Sequence, residues 1–144
     1  MEKVQATIKC DIVSSKRQIF SGDVTLFVGP GSSGELGIYP RHTPLITTLK
    51  PGPIRVVVPG GNEIVFVVGG GILEVMPHMI TVMADEVMRA DDLDAAAALR
   101  AKEEAERELQ NRTGELDVES ARLKLLKSLA ELKAVELLHR KDKR

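Results

Sequence analysis

The residues best able to do chemistry in this 144-residue chain are one glycine-rich run, three histidines, one cysteine and two pairs of adjacent carboxylates. Gly29-Pro30-Gly31-Ser32-Ser33-Gly34 has the G-x-G-x-x-G spacing. That spacing cradles a dinucleotide pyrophosphate when it follows a strand and opens a helix, because the first N–H groups of the helix then face the phosphates. Here it leads into Glu35-Leu36-Gly37-Ile38-Tyr39-Pro40, which cannot start such a helix, so a β-turn loop is expected. No Gly-Lys-Ser or Gly-Lys-Thr phosphate loop exists, and nucleotide hydrolysis is not supported. His42, His78 and His139 have no zinc-ligand spacing with Cys, Asp or Glu, and no Ser or Cys has an identifiable base and orienter. His78 follows Pro77 in an expected hairpin turn, and His139 sits near a helix C-terminus, where a cation is mildly favoured. Asp85-Glu86 and Asp91-Asp92 are neighbours that do not converge on a substrate, and the second pair is suited to capping a helix. Neither catalysis, a metal nor a cofactor is expected.

The elements that would position these groups fall into two kinds. Eleven of twelve glycines, all seven prolines and all four Phe and Tyr residues lie at or before position 77, whereas residues 91–144 hold one glycine and no proline. Turn formers and aromatics mark short strands; Ala, Leu, Glu, Lys and Arg without breakers mark helices. Val4, Ala6, Ile8, Cys10 and Ile12 alternate with polar residues, which predicts a half-buried strand with Cys10 as a small core residue. Further β runs are expected at 24–28, 45–49, 54–58, 64–68, 72–76 and 80–83. They are separated by Gly29-Pro30-Gly31, Lys50-Pro51-Gly52, Pro59-Gly60-Gly61-Asn62, Gly69-Gly70-Gly71 and Pro77-His78. Short strands without intervening helices predict an antiparallel sandwich or barrel. Asp91 or Asp92 is then expected to cap a first helix bearing the stripe Leu93, Ala97, Ala101, Ala105 and Leu109, ended by Thr113-Gly114. Asp117 is expected to cap a second, running to about His139, with Val118, Ala121, Leu125, Leu129 and Leu132 on one face and Leu123, Leu126, Ala130 and Leu137 beside it. Small side chains on one helix would admit large ones from the other, giving an antiparallel hairpin with arms about 30 Å long. The leucine surface of the second helix is wider than one Ala stripe can cover.

The composition, 43% hydrophobic and 28% charged with a formal charge of −1, is that of a folded soluble protein rather than a disordered tail or a nucleic-acid binder. No apolar run is long enough to span a membrane, no secretory signal opens the chain, and a lone cysteine fits a reducing cytoplasm. The small net charge is a cancellation. Residues 1–90 carry 8 basic and 8 acidic groups, 91–119 carry 4 and 10, and 120–144 carry 8 and 3. An acidic arm therefore faces a basic one, whose Arg122, Lys124, Lys127, Lys133, Arg140, Lys141, Lys143 and Arg144 are either a solvated helix face or a surface for an acidic protein.

The string Gly34-Glu35-Leu36-Gly37-Ile38-Tyr39-Pro40-Arg41-His42-Thr43-Pro44-Leu45 is distinctive. With Phe20-Ser21-Gly22, Lys50-Pro51-Gly52, Gly69-Gly70-Gly71-Ile72-Leu73-Glu74-Val75 and Thr81-Val82-Met83-Ala84-Asp85, it strongly resembles the epsilon subunit of bacterial F-type ATP synthases. The likeness continues through Asp92-Leu93-Asp94 and Leu132-Lys133-Ala134-Val135-Glu136-Leu137, so it spans essentially the whole chain. The resemblance implies an α+β protein in two parts: a β-sandwich of about ten strands over residues 1–88, binding the gamma subunit and the c ring, and a regulatory two-helix hairpin over 89–144. It implies a non-catalytic rotor subunit that couples proton-driven rotation to ATP synthesis and inhibits ATP hydrolysis, held peripherally at the cytoplasmic face of the inner membrane. By resemblance Glu35, Arg41 and His42 face the polar loops of the c ring, unless Glu35 and His42 satisfy each other or backbone groups within the turn. A leucine-rich sandwich surface would bind gamma. In an extended state of the hairpin, Arg122, Lys124, Lys127, Lys133 and Arg140 are candidates to meet acidic segments of beta in the alpha–beta head. Some family members bind regulatory ATP through Ile/Leu-Asp-x-x-Arg-Ala; here the run is Leu93-Asp94-Ala95-Ala96-Ala97-Ala98, with Ala97 in place of the arginine. Only Asp94 and Arg100 remain as nucleotide candidates, so no cofactor is expected. Two other readings compete: a free-standing sandwich that binds a small ligand and oligomerises through its helices, and an enzyme with an unrecognised site.

Overall fold

The structure, a computed structural model, describes residues 5–111 and 115–142. Val4, Thr113-Gly114, Lys143 and Arg144 lie outside these, as do the side chains of Asp117 and Lys141. Eight strands come first: β1 (Ile8–Ser14), β2 (Gln18–Val24), β3 (Leu26–Gly31), β4 (Gly34–Ile38), β5 (Leu45–Val57), β6 (Glu63–Met76), β7 (Met79–Ala84) and β8 (Val87–Arg89). A 3-10 turn, Ala90–Asp92, then leads into α1 (Ala95–Asn111) and α2 (Glu115–Asp142). The strands hydrogen-bond in the order β2-β1-β7-β6-β5-β3-β4, with β8 added to β6. Every pair is antiparallel except β1 with β7, so the expected antiparallel sandwich is in fact mixed. Parallel neighbours need a long crossover; here the whole of β2 to β6 supplies it.

In β1, Ile8, Cys10 and Ile12 are buried as the alternation predicts, but Ala6 is exposed because the strand starts only at Ile8. The expected strand at 24–28 is divided at Thr25, whose N–H donates to the Val57 carbonyl at 2.7 Å while its Oγ1 donates to the same oxygen at 3.2 Å. Val24 closes β2 and Leu26 opens β3.

Two expected breaks are not breaks. β5 runs through Lys50-Pro51-Gly52 and β6 through Gly69-Gly70-Gly71 as one long hairpin, pairing from Leu45 with Val75 to Val57 with Glu63. Inward-facing positions change parity at that level. Ile54, Val56, Phe66 and Val68 face the core on the turn side of the hairpin, and Leu49, Leu73 and Val75 face it on the open side. Side chains alternate strictly along a strand, so a parity change marks a corner at which the sheet folds over its own core. Gly70 sits there at φ 103°, and a Cβ on Gly71 would lie 2.5 Å from the Met83 carbonyl oxygen and 2.9 Å from Ala84 Cβ. The two bent strands serve both layers, which is why eight strands do the work of the expected ten. One core unites all of this, from Ile8 and Phe27 to Ile80 and Val82. Each such side chain contributes about 1.5–3 kcal/mol of burial. Phe20 closes one margin, meeting Phe66 edge-on at 5.7 Å.

The second core lies outside the sandwich. Val65 and Val67 point away from the first core and are covered by Ala90 and by Ala130 and Ala134 of α2, with Leu93, Leu137 and Leu138 around them. Small side chains let α2 lie close to the sheet, and Ser128, buried with them, donates its hydroxyl to the Lys124 carbonyl at 2.9 Å. Between the helices the buried residues are again alanines, Ala98 and Ala105 of α1 and Ala121 of α2. Of the leucines on the expected face, Leu125 and Leu132 are half-buried and Leu129 is 42% exposed, while Leu123 and Leu126 beside it are 58% and 43% exposed, so the expected insertion holds only in part. Ala97 and Ala101 are exposed as well, because a four-residue repeat drifts around a helix of 3.6 residues per turn. The stripe that faces α2 follows the true period through Ala98, Lys102, Ala105 and Leu109. The arms also differ in length, about 25 Å for α1 and 42 Å for α2 at 1.5 Å per residue, since the second half of α2 runs on over the sheet.

Candidate functional site

Among the described residues no single cleft gathers the expected ones; they are distributed over the α1 start, β4 and the loop after it, and the α2 surface. At the α1 start, Asp94 rather than Asp91 or Asp92 is the cap. Its Oδ1 accepts from the backbone N–H groups of Ala96 at 3.0 Å and Ala97 at 3.2 Å. Asp91 and Asp92 are taken up in the preceding 3-10 turn, where Asp91 lies 3.4 Å from Arg89. The carboxylate of Asp94 is thus committed to the helix, and Arg100, nearly two turns further on, is exposed to solvent. The two nucleotide candidates share no described cavity.

Glu35 and the Arg41–His42 pair also part company. Glu35 is exposed on β4 opposite Pro30 and lines a groove of about 570 Å³ with Arg55, Lys133, Leu137 and Arg140, on the side of the sheet covered by α2. Arg55 pairs with Glu63 at 2.8 Å in the same groove. Arg41 is held instead at the β6–β7 turn, its backbone at φ 63° and its N–H donating to the Pro77 carbonyl at 3.0 Å. His42 places Nδ1 2.7 Å from the Thr43 carbonyl oxygen. Among the described residues Glu35 and His42 do not satisfy each other.

The basic residues of α2 lie against acids of the same chain. Lys124 reaches Glu108 of α1 at 3.5 Å, and Lys127 reaches Glu86 of the β7–β8 turn at 3.2 Å. Lys133 and Arg140 border the groove that Glu35 lines, and Arg122 is exposed. Exposed pairs of this kind are worth only about 0–1 kcal/mol each, so they can be exchanged for others. Beside Lys127, burial pushes the Glu131 carboxyl above its ordinary value; Lys127 opposes the rise and Glu86 reinforces it. Cys10 is pushed up to about 12, chiefly by burial and then by Asp11, an inert thiol as its strand position predicts.

Sequence reasoning missed one surface. On the outer side of β5, β6 and β7, Ile46, Ile72, Met76 and Met83 are 71%, 45%, 46% and 44% exposed. Ile72 is in register with Thr48 on one side and Met83 on the other, while Ile46 is opposite Glu74 and Met76 opposite Met79, so the four are exposed apolar positions spread over three adjacent strands. The signal was present: Leu45-Ile46, Ile72-Leu73 and Val82-Met83 are apolar at both parities, which a strand with one face in water does not need.

Profiles described as "ATP synthase, Delta/Epsilon chain, beta-sandwich domain" and "ATP synthase, Delta/Epsilon chain, long alpha-helix domain" match residues 7–90 and 91–136. This chain belongs to the ATP synthase delta/epsilon family. An ATP synthase epsilon chain of Nitrosococcus oceani is 52% identical over 94% of this chain and 96% of its own length. One from Stenotrophomonas maltophilia is 50% identical over the same shares. Among solved structures, a chain of the Euglena gracilis mitochondrial ATP synthase, OSCP/F1/c-ring in rotational state 1, superposes with a TM-score of 0.74 at 20% identity, covering 97% of this chain and 84% of that one. A chain of the Tetrahymena thermophila central stalk and c ring gives 0.57 at 13% identity over 92% and 99%. At those identities the two structures bear on the fold alone. The family agrees with the resemblance carried by Gly34 to Leu45, and with a sandwich followed by long helices. No helix among the described residues is long and apolar enough to cross a membrane.

Proposed function

We propose that this chain is the non-catalytic central-stalk subunit of a bacterial, proton-translocating ATP synthase, coupling rotation of the c ring to ATP synthesis and restraining ATP hydrolysis through its two helices. The observation that carries the reading is the 52% identity to an ATP synthase epsilon chain over nearly the full length of both chains. Residues 1–88 would bind gamma and the c ring, and 89–144 would regulate. The exposed residues Ile46, Ile72, Met76 and Met83 would form the gamma surface, since they are apolar and left uncovered by the chain's own helices. It replaces the leucine-rich surface that the resemblance suggested. Glu35, Arg41 and His42 remain candidates for the c ring, now as two separate contacts. Arg122, Lys124, Lys127, Lys133 and Arg140 remain candidates for acidic segments of beta, reached once their intrachain pairs are exchanged. With Asp94 occupied in capping and Arg100 apart from it, regulatory ATP has little to hold it. The complex would carry the subunit at the cytoplasmic face of the inner membrane.

Affinity purification of the tagged chain from its host's membranes tests this. The alpha, beta and gamma subunits should co-purify, and replacing Ile46, Ile72, Met76 and Met83 by Ser or Gln should lose gamma while the sandwich stays folded. A monomer that enriches none of these subunits would overturn the proposal and favour the free-standing ligand-binding module.

A further inference from the structure

We propose that the seam between α2 and the β7–β8 turn is a proton-responsive latch, which holds α2 on the sandwich more firmly as the solution acidifies. The inference rests on the reading above that α2 can leave the sandwich. The seam encloses a cavity of about 350 Å³. Its charged lining comes from three elements: Lys127 and Glu131 on α2, Asp85 and Glu86 on the β7–β8 turn, and Lys16 and Arg17 on the β1–β2 turn. The direct bridge across it is Lys127 to Glu86 at 3.2 Å. Glu131 lies one helical turn beyond Lys127 on the same side of α2, so two carboxylates, one from each wall, compete for a single ammonium. Lys16, Arg17, Asp85 and Glu86 are solvent-exposed at the rim; Glu131 is the half-buried carboxylate of the three. Val67, Val87 and Leu93 supply the apolar part of the lining.

The sign follows from that placement. Docking takes the Glu131 carboxyl partly out of water and sets it near Glu86, so its protonation is easier in the docked state than on a released, solvated helix. A group whose docked value is raised stabilises docking at and below its ordinary, released value, and that stabilisation is lost as pH rises through the docked value. When Glu131 is protonated, it is relieved of holding a charge half out of water and Lys127 is left to Glu86; when it ionises, that desolvated charge must share Lys127 with Glu86. Ala130 and Ala134 seat α2 on the sheet with Leu137 and Leu138 beside them, and the charge on Glu131 adds to or subtracts from that apolar contact.

The test uses the full chain with a fluorophore pair on Ser15→Cys and Glu136→Cys, both exposed positions. Cys10 is buried and does not compete for the label. Energy transfer is read from about pH 4 to about pH 8, a range that begins near the ordinary carboxylate value of about 4.3 and extends well above it. The expected result is a loss of transfer as pH rises, and in a Glu131→Gln background a flat profile at the acidic level of the parent. A flat parent profile, or a Glu131→Gln profile with the parent's slope, overturns the latch. Ala134→Asp, which buries a charge against Val65 and Val67, is the reference for a released helix. If it loses transfer while the parent is flat, the latch alone fails. If it keeps full transfer with strand circular dichroism intact, α2 does not leave the sandwich and both the latch and the mobile-helix reading fail.

Discussion

Replacing Gly71 by alanine should be among the most damaging one-methyl changes in the sandwich. The glycine stands at the corner of the β5–β6 hairpin, and its new Cβ would fall 2.5 Å from the Met83 carbonyl oxygen, 2.9 Å from Ala84 Cβ and 3.1 Å from Ala84 Cα. The first is about 0.8 Å inside the ~3.3 Å at which carbon and a carbonyl oxygen ordinarily meet. All three atoms belong to β7 or to a methyl on it, so no flexible side chain can yield; the β6–β7 ladder must move. Overpacking of this kind costs about 1–3 kcal/mol, and strain at the Gly71 φ of 157° adds about 1 kcal/mol. A loss of about 2–4 kcal/mol lowers the melting temperature by roughly 8–16 °C in a domain of this size, at about 4 °C per kcal/mol. The measurement is thermal and urea unfolding followed by the strand signal of the sandwich, so that melting of the helices is not counted. Gly37→Ala is the control. Its Cβ would meet nothing within 4 Å and its φ is not positive, so it should gain about 0.4–1 kcal/mol from a less flexible unfolded chain. If Gly71→Ala unfolds with the midpoint of Gly37→Ala, the corner does not depend on that close approach and the account of the bend is wrong.

Asp94→Ala should remove about 1 kcal/mol by leaving the Ala96 and Ala97 N–H groups uncapped, seen as lower helical circular dichroism, whereas Asp92→Ala should change little. Cys10 should stay unmodified by thiol reagents near neutral pH until the chain unfolds. Because its folded value is raised from 9.0 to about 12, the stability it contributes is present in full below about 9 and is lost as pH rises toward 12, which alkaline unfolding of Cys10→Ala against the parent should reveal. A Lys124→Glu, Lys127→Glu, Lys133→Glu triple should weaken inhibition of ATP hydrolysis in a reconstituted enzyme; inhibition as strong as the parent's would remove these residues from the beta contact.

The division into strands and helices was legible because glycine, proline and aromatics stop near residue 77, and Cys10 was legible because it falls on the inward parity of one alternating strand. Pairing was not. A run such as Gly69-Gly70-Gly71 looks the same whether it ends a strand or folds one over a corner, and only the Met83 and Ala84 atoms pressed against it decide. Asp91, Asp92 and Asp94 all stand at spacings suited to a cap, and the short turn at Ala90–Asp92 uses two before α1 begins. Glu35 and His42 are seven residues apart in sequence, yet β4 carries one toward the α2 side and the following loop carries the other toward the β6–β7 turn. For α2 the sequence shows surplus leucine but not which leucines: the alanines take the two contacts because they allow the closest approach, and Leu123, Leu126 and Leu129 are left outside.

The parallel pairing of β1 with β7 sets a timetable for folding. Lys9 pairs with Met79 and Ser14 with Ala84, a separation of 70 residues, and β1 is the strand that joins β2 to the rest of the sheet. Contacts so distant in sequence are slow to form, because the loop must close before any of them is rewarded. As the chain emerges from the ribosome, the β1–β2 hairpin must wait, with Ile8 and Ile12 uncovered, until β7 has been made. The β5–β6 hairpin, whose partners are close in sequence, can form first and present the edge on which β7 and then β1 are laid. β1, made long before β7, is thus among the last strands to be secured, and the interval before β7 arrives is when this chain is most exposed to aggregation.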